Sequence, residues 1–406
     1  MITGRSFKGI TGLRRRANGL FVMLALAGVV ISFTAYCGLR SFRNPLDTRL
    51  VKADNELGFR LFKEILNKDP SKNFAICPAG LALALQLTYN GATGQTKRDM
   101  AKALGVGGIP LQEINRANAK LIHMLENPGP GVRVDIANSL SGGKGVRFTP
   151  EFTDIGERIY HVRFRMKGTQ DIASASGSIE AEPAPNQLVI ASRASFEGVW
   201  MWEFDQSLAD KRRFRYPNGR DKFITMLGAY GPFMYRDPEP GLPEILSMRY
   251  TDHRTSMYLM PAGANDPWVD WVCHNLNSGN WEKWISQMRK GNVMVYLPPF
   301  EVRCAGSLTG SLRSLGVDLL PRKARTDFEN MCLQPFTVAA LQYSAYLEVC
   351  QEGSRPLPKT TLRYLPDFCA DRPFFFAIRD DRTGLILFMG WVADPTEGME
   401  SSDQLH

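Results

Sequence analysis

Side chains able to support enzyme chemistry are scattered along this 406-residue chain. Its five histidines show no metal-ligand spacing, and its seven cysteines include no CxxC pair that would indicate a zinc site. The GxSxG, HExxH and Walker-A motifs, which place a nucleophile, a catalytic metal or a phosphate, do not occur. We therefore expect no catalytic residue, no metal ion and no cofactor, and we interpret the protein as a non-enzyme.

A polar loop near the C-terminus carries the most distinctive residues. It follows an alternating apolar segment that ends at Val349, and it precedes two apolar runs at 373–378 and 385–390. The turn 380–384 joins these runs, which therefore predict a buried β-hairpin, while the alternation before the loop predicts a strand. The loop is thus presented between a sheet strand and a terminal hairpin.

Short phrases with recognisable residues recur in a fixed order over most of the chain. One phrase alone has little specificity, whereas eight in order between Leu57 and Pro395 are highly specific. They lie at 73–96, 136–138, 188–200, 223–235, 256–261, 297–300, 312–320 and 386–395. The series resembles the serpin family. This resemblance implies an α+β serpin fold with large mixed β-sheets, surrounding helices and an exposed reactive-centre loop.

The N-terminal residues differ in composition from this region. A basic segment at 1–19 precedes an uncharged apolar run at 20–39, which at about 1.5 Å per residue could span a bilayer. It indicates either a cleaved signal peptide or an uncleaved signal-anchor transmembrane helix. We expect a protein of the secretory pathway, extracellular or type II membrane-anchored. A linker at 40–51, a serpin domain at 52–396 and a C-terminal tail at 397–406 would follow.

The net charge of +8 is concentrated at the N-terminus. Five basic residues precede the apolar run without acidic neighbours, and the remainder carries only about +3, so we expect no nucleic-acid partner. A second basic cluster lies on a predicted strand. It is either a polyanion-binding patch or a solvated strand edge protected by its charge. Its residues are Lys211, Arg212, Arg213 and Arg215.

The resemblance implies that the loop works mechanically. In an inhibitory serpin a protease cuts the loop, whose first half then inserts as a new central strand of the main sheet. Such a strand needs a backbone N–H at each ladder position and small side chains on its buried face. The hinge that would insert is Gln351, Glu352, Gly353, Ser354, Arg355, Pro356, Leu357 and Pro358.

Two features of the loop argue against efficient insertion. Pro356 and Pro358 fall on the face that would enter the sheet, and each lost N–H leaves a carbonyl unpaired at a cost of about 1–3 kcal/mol. The loop is also shorter than expected of an inhibitory member. We therefore favour a non-inhibitory binding, carrier or decoy protein. The alternative is an active serine protease inhibitor whose reactive bond is Arg363–Tyr364. A chaperone or structural role is a third class. The partner would be a serine protease or another protein in the extracellular or luminal space.

Other positions also depart from the family pattern. The resemblance places Cys77, Gly80, Ser192 and Tyr343 at the sheet-opening point, where the family has two serines, an asparagine and a histidine. Either these positions have drifted, or selection for sheet opening has lapsed. Residues 167–187, rich in Gly, Ala, Ser and Pro, predict that a loop replaces the long helix crossing the main sheet in serpins. Two cysteines bracket the reactive loop, either as independent thiols or as a disulfide: Cys350 and Cys369.

Overall fold

The computed structural model describes residues 46–166, 183–216, 219–263, 268–317, 327–349 and 366–397. They belong to one compact unit that begins at Leu46. The predicted basic segment, the apolar run 20–39, the hinge 351–358 and the Arg363–Tyr364 bond lie outside these residues. Within the described ranges, no helix combines the length and the apolar character needed to cross a bilayer.

Eight helices occur in the described part of the chain, and the first begins earlier than expected. The Asp47 carboxylate caps it by accepting a hydrogen bond from the Arg49 backbone N at 2.9 Å, and Leu50 and Val51 are buried. The last residues of the predicted linker, 48–51, are therefore helical. The helices are α1 Thr48–Lys68, α2 Pro78–Gly91, α3 Gly94–Ala103, α4 Leu111–Glu126, α5 Pro150–Arg158, α6 Trp268–Asn275, α7 Ser278–Ser286 and α8 Thr309–Ser314.

The same residues contain fourteen strands. They are β1 Phe74–Ile76, β2 Val132–Gly142, β3 Arg163–Met166, β4 Gln187–Gly198, β5 Asp205–Arg215, β6 Asp221–Arg236, β7 Ile245–Arg249, β8 Thr255–Pro261, β9 Arg289–Leu297, β10 Phe300–Ser307, β11 Thr337–Val349, β12 Asp367–Cys369, β13 Phe374–Asp380 and β14 Ile386–Val392.

The strands form two sheets. The larger has the order β1-β14-β13-β8-β7-β6-β9-β12, with β5 paired to β6. The smaller has the order β10-β11-β4-β2-β3, in which the β11–β4 and β2–β3 pairs are parallel and the other two pairs antiparallel. Helices and strands do not alternate as βαβ units, so the predicted α+β class with mixed sheets is confirmed.

The predicted C-terminal hairpin is present. β13 and β14 pair antiparallel, and every residue of both strands is buried. Asp380 organises the turn because its Oδ1 accepts hydrogen bonds from the backbone N of Arg382 and of Thr383, at 3.1 and 2.8 Å. Asn55 of α1 binds the start of β14, because its side chain donates a hydrogen bond to the Gly384 carbonyl and accepts one from the Ile386 N–H. The hairpin is therefore fixed to the first helix.

The five-stranded sheet is covered on one face only in the described structure. Its strands alternate between buried residues and exposed or half-buried ones, as in β11. A groove of about 870 Å³ opens over the less buried face, which we call the front face. The stretch 167–187, where we expect a loop in place of a helix, lies mostly outside the described residues. Its described residues 183–186 are non-helical.

Candidate functional site

The junction between β4 and β11 contains two of the predicted sheet-opening residues, Ser192 and Tyr343. The two strands pair in parallel from Thr337–Gln187 to Leu347–Phe196, with one irregularity between Val338 and Ala340. We call this junction the seam. The two strands are paired along almost the whole length of the seam. A new strand that entered there would have to replace every backbone hydrogen bond between β4 and β11 with hydrogen bonds to its own backbone.

The structure brings the four predicted sheet-opening residues together. Ser192 and Tyr343 are direct partners across the seam. Cys77 is the N-cap of α2, and its Sγ accepts a hydrogen bond from the Gly80 backbone N at 3.3 Å. A Cβ on Gly80 would lie 3.2 Å from the Cys77 Sγ and 3.4 Å from the Ser192 Oγ. The cluster is thus the contact between the seam and the first turn of the buried helix α2.

This cluster is buried and electrically neutral near pH 7. The exposed fractions of Cys77, Ser192 and Tyr343 are 0%, 2% and 3%. Burial raises the pKa of the Cys77 thiol to about 12 and raises that of the Tyr343 phenol well above its ordinary value, so neither ionises near neutral pH. Neither the Ser192 nor the Tyr343 hydroxyl forms a hydrogen bond of ordinary geometry among the described residues, although the Cys77 backbone lies close to the Tyr343 phenol. Packing, rather than proton transfer, is what these side chains provide.

One polar residue beside this cluster was not predicted. Asn138 of β2 is the antiparallel partner of Ser192, and its Nδ2 donates a hydrogen bond to the Gly80 carbonyl at 3.2 Å. Its exposed fraction is 6%. The alternation of Ile136, Asn138 and Leu140 already placed it on the buried face of β2, which is a signal that sequence analysis could have used.

The basic cluster lies on β5, which pairs only with β6 in the described structure. Arg212 contacts Asp210 at 3.1 Å, and its guanidinium lies 3.4 Å from the centre of the Tyr296 ring. Arg213 and Arg215 form ion pairs with Asp221 and Asp371, at 3.2 and 2.7 Å. Local carboxylates therefore offset most of the charge, which favours the interpretation as a protected strand edge over a polyanion patch. Lys211 completes the cluster.

The thiol of Cys369, on β12, is free. Its predicted partner in the alternative disulfide, Cys350, lies outside the described residues. The Cys369 Sγ is half-buried and lies 3.8 Å from the Met226 sulfur, and burial raises the pKa of the thiol to about 11. It is consequently a weakly reactive thiol near neutral pH.

Comparison with known proteins identifies the fold family. Residues 52–395 match the family model described as serpin (serine protease inhibitor). The chain belongs to the serpin family. The five-stranded sheet with its closed seam, the buried helix behind it and the terminal hairpin are therefore the serpin fold that the sequence resemblance predicted.

Curated relatives match over nearly their whole length. The chain is 26% identical over 380 residues to serpin B6 of Macaca fascicularis, covering 85% of this chain and 99% of that protein. Glia-derived nexin of Mus musculus is 24% identical over 380 residues, with 85% and 94% covered. Corticosteroid-binding globulin of Ovis aries is 23% identical over 389 residues, with 88% of each covered.

Solved structures show the same fold. Human thyroxine-binding globulin superposes with a TM-score of 0.75 at 20% identity, covering 86% of this serpin and 99% of that chain. Native protease nexin-1 with heparin gives a TM-score of 0.71 at 22% identity, with 87% and 100% covered. The mouse protein-Z dependent protease inhibitor gives 0.75 at 17% identity, with 86% and 98% covered. These neighbours include both a protease inhibitor and a thyroxine-binding globulin, so the fold alone does not decide between an inhibitory and a binding role.

Proposed function

We propose that this serpin is a binding, carrier or decoy protein that no longer traps proteases efficiently. The observation that carries the proposal is the contact between the seam and α2. Tyr343 fills the buried space beside Ser192 and Cys77, and Pro356 and Pro358 lie in the segment that would have to enter next to it. An entering strand would meet a large aromatic side chain and would lack two backbone donors.

Opening the seam has two free-energy costs, one from the contacts that Tyr343 loses and one from the prolines of the entering strand. Separating β4 from β11 by one strand spacing, about 4.8 Å, would remove Tyr343 from its neighbours Ser192 and Cys77. A regular strand offsets that loss by pairing with both neighbours, whereas a strand with two prolines leaves two carbonyls unpaired inside the sheet. The balance therefore favours the closed sheet more than in a family member with a regular hinge.

A second candidate function is serine protease inhibition through the Arg363–Tyr364 bond. One observation favours it: β4 and β11 lie side by side in parallel, with the closed seam available for a strand to enter. Arg363 would suit a trypsin-like specificity pocket, and Tyr364 a chymotrypsin-like one. This candidate is also supported by similar structures whose names describe them as inhibitors, such as the mouse protein-Z dependent protease inhibitor.

Thermal unfolding before and after cleavage of the loop separates the two candidates. The full chain is cut by limited proteolysis between Gly353 and Asp367, and its melting temperature is compared with that of the uncut chain. An unchanged or lower melting temperature supports the binding role. A large increase, or an SDS-stable complex with a serine protease, would establish insertion and overturn the proposal.

We also infer that the protein enters the secretory pathway through residues 20–39, so that its partner is extracellular or luminal. The support is the basic flank before an uncharged apolar run. N-terminal sequencing of protein recovered from expressing cells and their medium tests this. A new N-terminus near residue 40 in the medium indicates secretion, and an intact N-terminus in the membrane fraction indicates the type II anchor. Intact protein in the soluble cell fraction would contradict both.

A further inference from the structure

Strand register aligns the front face of the five-stranded sheet into rows that run across the strands. One row is Arg163, Ser139, Ala191, Gln342 and Ser307, from β3 to β10. The next is Ala137, Arg193, Ser344 and Ala305. The third is Asp135, Ser195, Tyr346 and Arg303. Small side chains therefore form most of the floor of the groove, and the arginines rise above it.

Three arginines lie on one diagonal through these rows. Arg163 is on β3, Arg193 is two strands away and one row further, and Arg303 is again two strands away and one row further. Neighbouring strands are about 4.8 Å apart, and successive rows are two residues apart at about 3.4 Å per residue. The Cα atoms of successive arginines on the diagonal are therefore about 12 Å apart. The diagonal crosses the whole sheet, with a length of about 24 Å.

Within the groove the charge is basic. All three arginines are exposed, and the described residues that line the groove include no aspartate or glutamate. Asp135, at the end of the third row, lies outside this lining and forms an ion pair with Arg133 at 3.1 Å. Arg163 and Arg193 have no ion-pair or hydrogen-bond partner in the described structure. Arg303 contacts Glu301, but its side chain stays 73% exposed and can accept a second anion. Guanidinium groups that face solvent over a floor of alanine and serine are suited to bind carboxylates through paired hydrogen bonds.

We propose that the front face binds an extended acidic polypeptide segment, with carboxylates spaced to meet Arg163, Arg193 and Arg303. An extended chain advances about 3.3 Å per residue, so carboxylates three or four residues apart match the diagonal. The site goes beyond the proposed function and does not depend on it, because it is already complete in the closed sheet.

The surroundings favour a short acidic segment over a uniformly charged polysaccharide. Glu197 and Glu348 lie two residues beyond Ser195 and Tyr346 on the same face, and both are exposed. They bound the basic region on β4 and β11 at one end of the diagonal, and at the other end the region extends to Arg165, which also lines the groove. A long sulfated chain that followed β4 and β11 past the diagonal would meet these two carboxylates, whereas a peptide with three acidic residues would stay within the basic region.

Binding of labelled synthetic peptides to the full chain tests the proposal. The probe is a Gly/Ser peptide with three glutamates spaced three and four residues apart, and a second peptide has the same composition with its glutamates adjacent. A sulfated heparin fragment serves as the alternative ligand. The test variant is Arg163→Ala/Arg193→Ala/Arg303→Ala. The matched control removes the same charge from exposed positions of α3, α4 and α5: Arg98→Ala/Arg116→Ala/Arg158→Ala.

We expect the peptide with spaced glutamates to bind the wild-type chain more tightly than the peptide with adjacent glutamates. Its affinity should fall at least about tenfold in the test variant and should be unchanged in the control variant. Binding should weaken steeply with salt. Absence of peptide binding, an equal loss in the control, or binding of the heparin fragment alone through these arginines would each overturn the proposal. The single variant Arg193→Ala, with circular dichroism to establish folding, repeats the comparison should the triple variant fold poorly.

Discussion

Tyr343 and Ser192 face each other across the parallel pair β11–β4, and both hydroxyls are buried without a hydrogen bond of ordinary geometry in the described structure, although the Cys77 backbone lies close to the Tyr343 phenol. Two polar atoms are thus placed at the seam, in the middle of the five-stranded sheet. A buried hydroxyl that makes no hydrogen bond has lost its contact with water without compensation. The residue pair is therefore held by its packing, in spite of its polarity.

Removing the phenol oxygen should stabilise the protein. We expect Tyr343→Phe to raise the free energy of unfolding by about 1 kcal/mol, because the ring keeps its packing while the unpartnered hydroxyl is lost. Urea denaturation measures this. Tyr235→Phe is the control, since the Tyr235 hydroxyl donates a hydrogen bond to Glu244 at 2.8 Å and its loss should destabilise. A destabilised Tyr343→Phe variant would mean that the hydroxyl does have a partner in solution.

Restoring backbone donors to the hinge should restore insertion. In Pro356→Ser/Pro358→Ser both ladder positions regain an N–H, so we expect the cleaved variant to melt well above its uncleaved form. The wild-type chain, cut in the same way, should show no such gain. Arg355→Ser/Lys359→Ser is the matched control, because it changes residues of the opposite face. Equal behaviour of variant and wild type would show that the prolines are not what limits insertion.

The buried carboxyl of Asp54 should make stability depend on pH. Asp54 accepts a hydrogen bond from the Gln86 Nε2 at 2.6 Å, and burial raises its pKa to about 8. The unfolded chain ionises this group near pH 4, so the folded state loses relative stability as the pH rises from about 4 to about 8. Asp54→Asn cannot ionise and escapes this loss.

Comparison of Asp54→Asn with wild type at pH 5 and pH 8 measures the effect. The difference in unfolding free energy between the two proteins should change with pH in favour of the variant, by about 1.4 kcal/mol for each pH unit in that window. Asp154→Asn, at an exposed position of α5, should show no such trend. A pH-independent difference for Asp54→Asn would place the pKa of this carboxyl near its ordinary value.

The turn of the terminal hairpin should be sensitive to its buried carboxylate. Asp380 has an exposed fraction of 1%, accepts three hydrogen bonds within the turn and forms an ion pair with Arg254. We expect Asp380→Ala to cost about 3 kcal/mol, because the Arg254 guanidinium and the turn N–H groups lose their partner. Chemical denaturation gives the value. Asp154→Ala removes an exposed ion pair with Arg158, and should cost well under 1 kcal/mol. Similar losses in both variants would refute this account.

Sequence reasoning predicted the fold, which is confirmed, from local patterns together with the family resemblance. The turn 380–384 and the alternation before Val349 have local patterns, and the resemblance supplied the association of Cys77, Gly80, Ser192 and Tyr343. The start of α1 at Thr48 was not predicted because the capping role of Asp47 was not used.

Two arrangements depend on contacts distant in sequence, and no local pattern reveals them. Gln86 of α2 donates to Asp54 of α1 and accepts from Asn118 of α4 at 2.6 Å, which requires three helices to pack in one way. The arginine diagonal depends on the register of five strands. A shift of one residue in any strand would move its side chains to the other face.

The pairing of β4 with β11 also sets the distance between Arg193 and Arg303, which lie on opposite sides of the seam. A strand inserted between β4 and β11 would add one strand spacing and lengthen their separation from about 12 Å to about 16 Å. A ligand that bridges both arginines at the shorter distance binds the uninserted sheet more tightly, and by thermodynamic linkage it stabilises that sheet. Capture of an acidic partner and insertion of the loop would then be mutually antagonistic, and an event that forces insertion would release the partner.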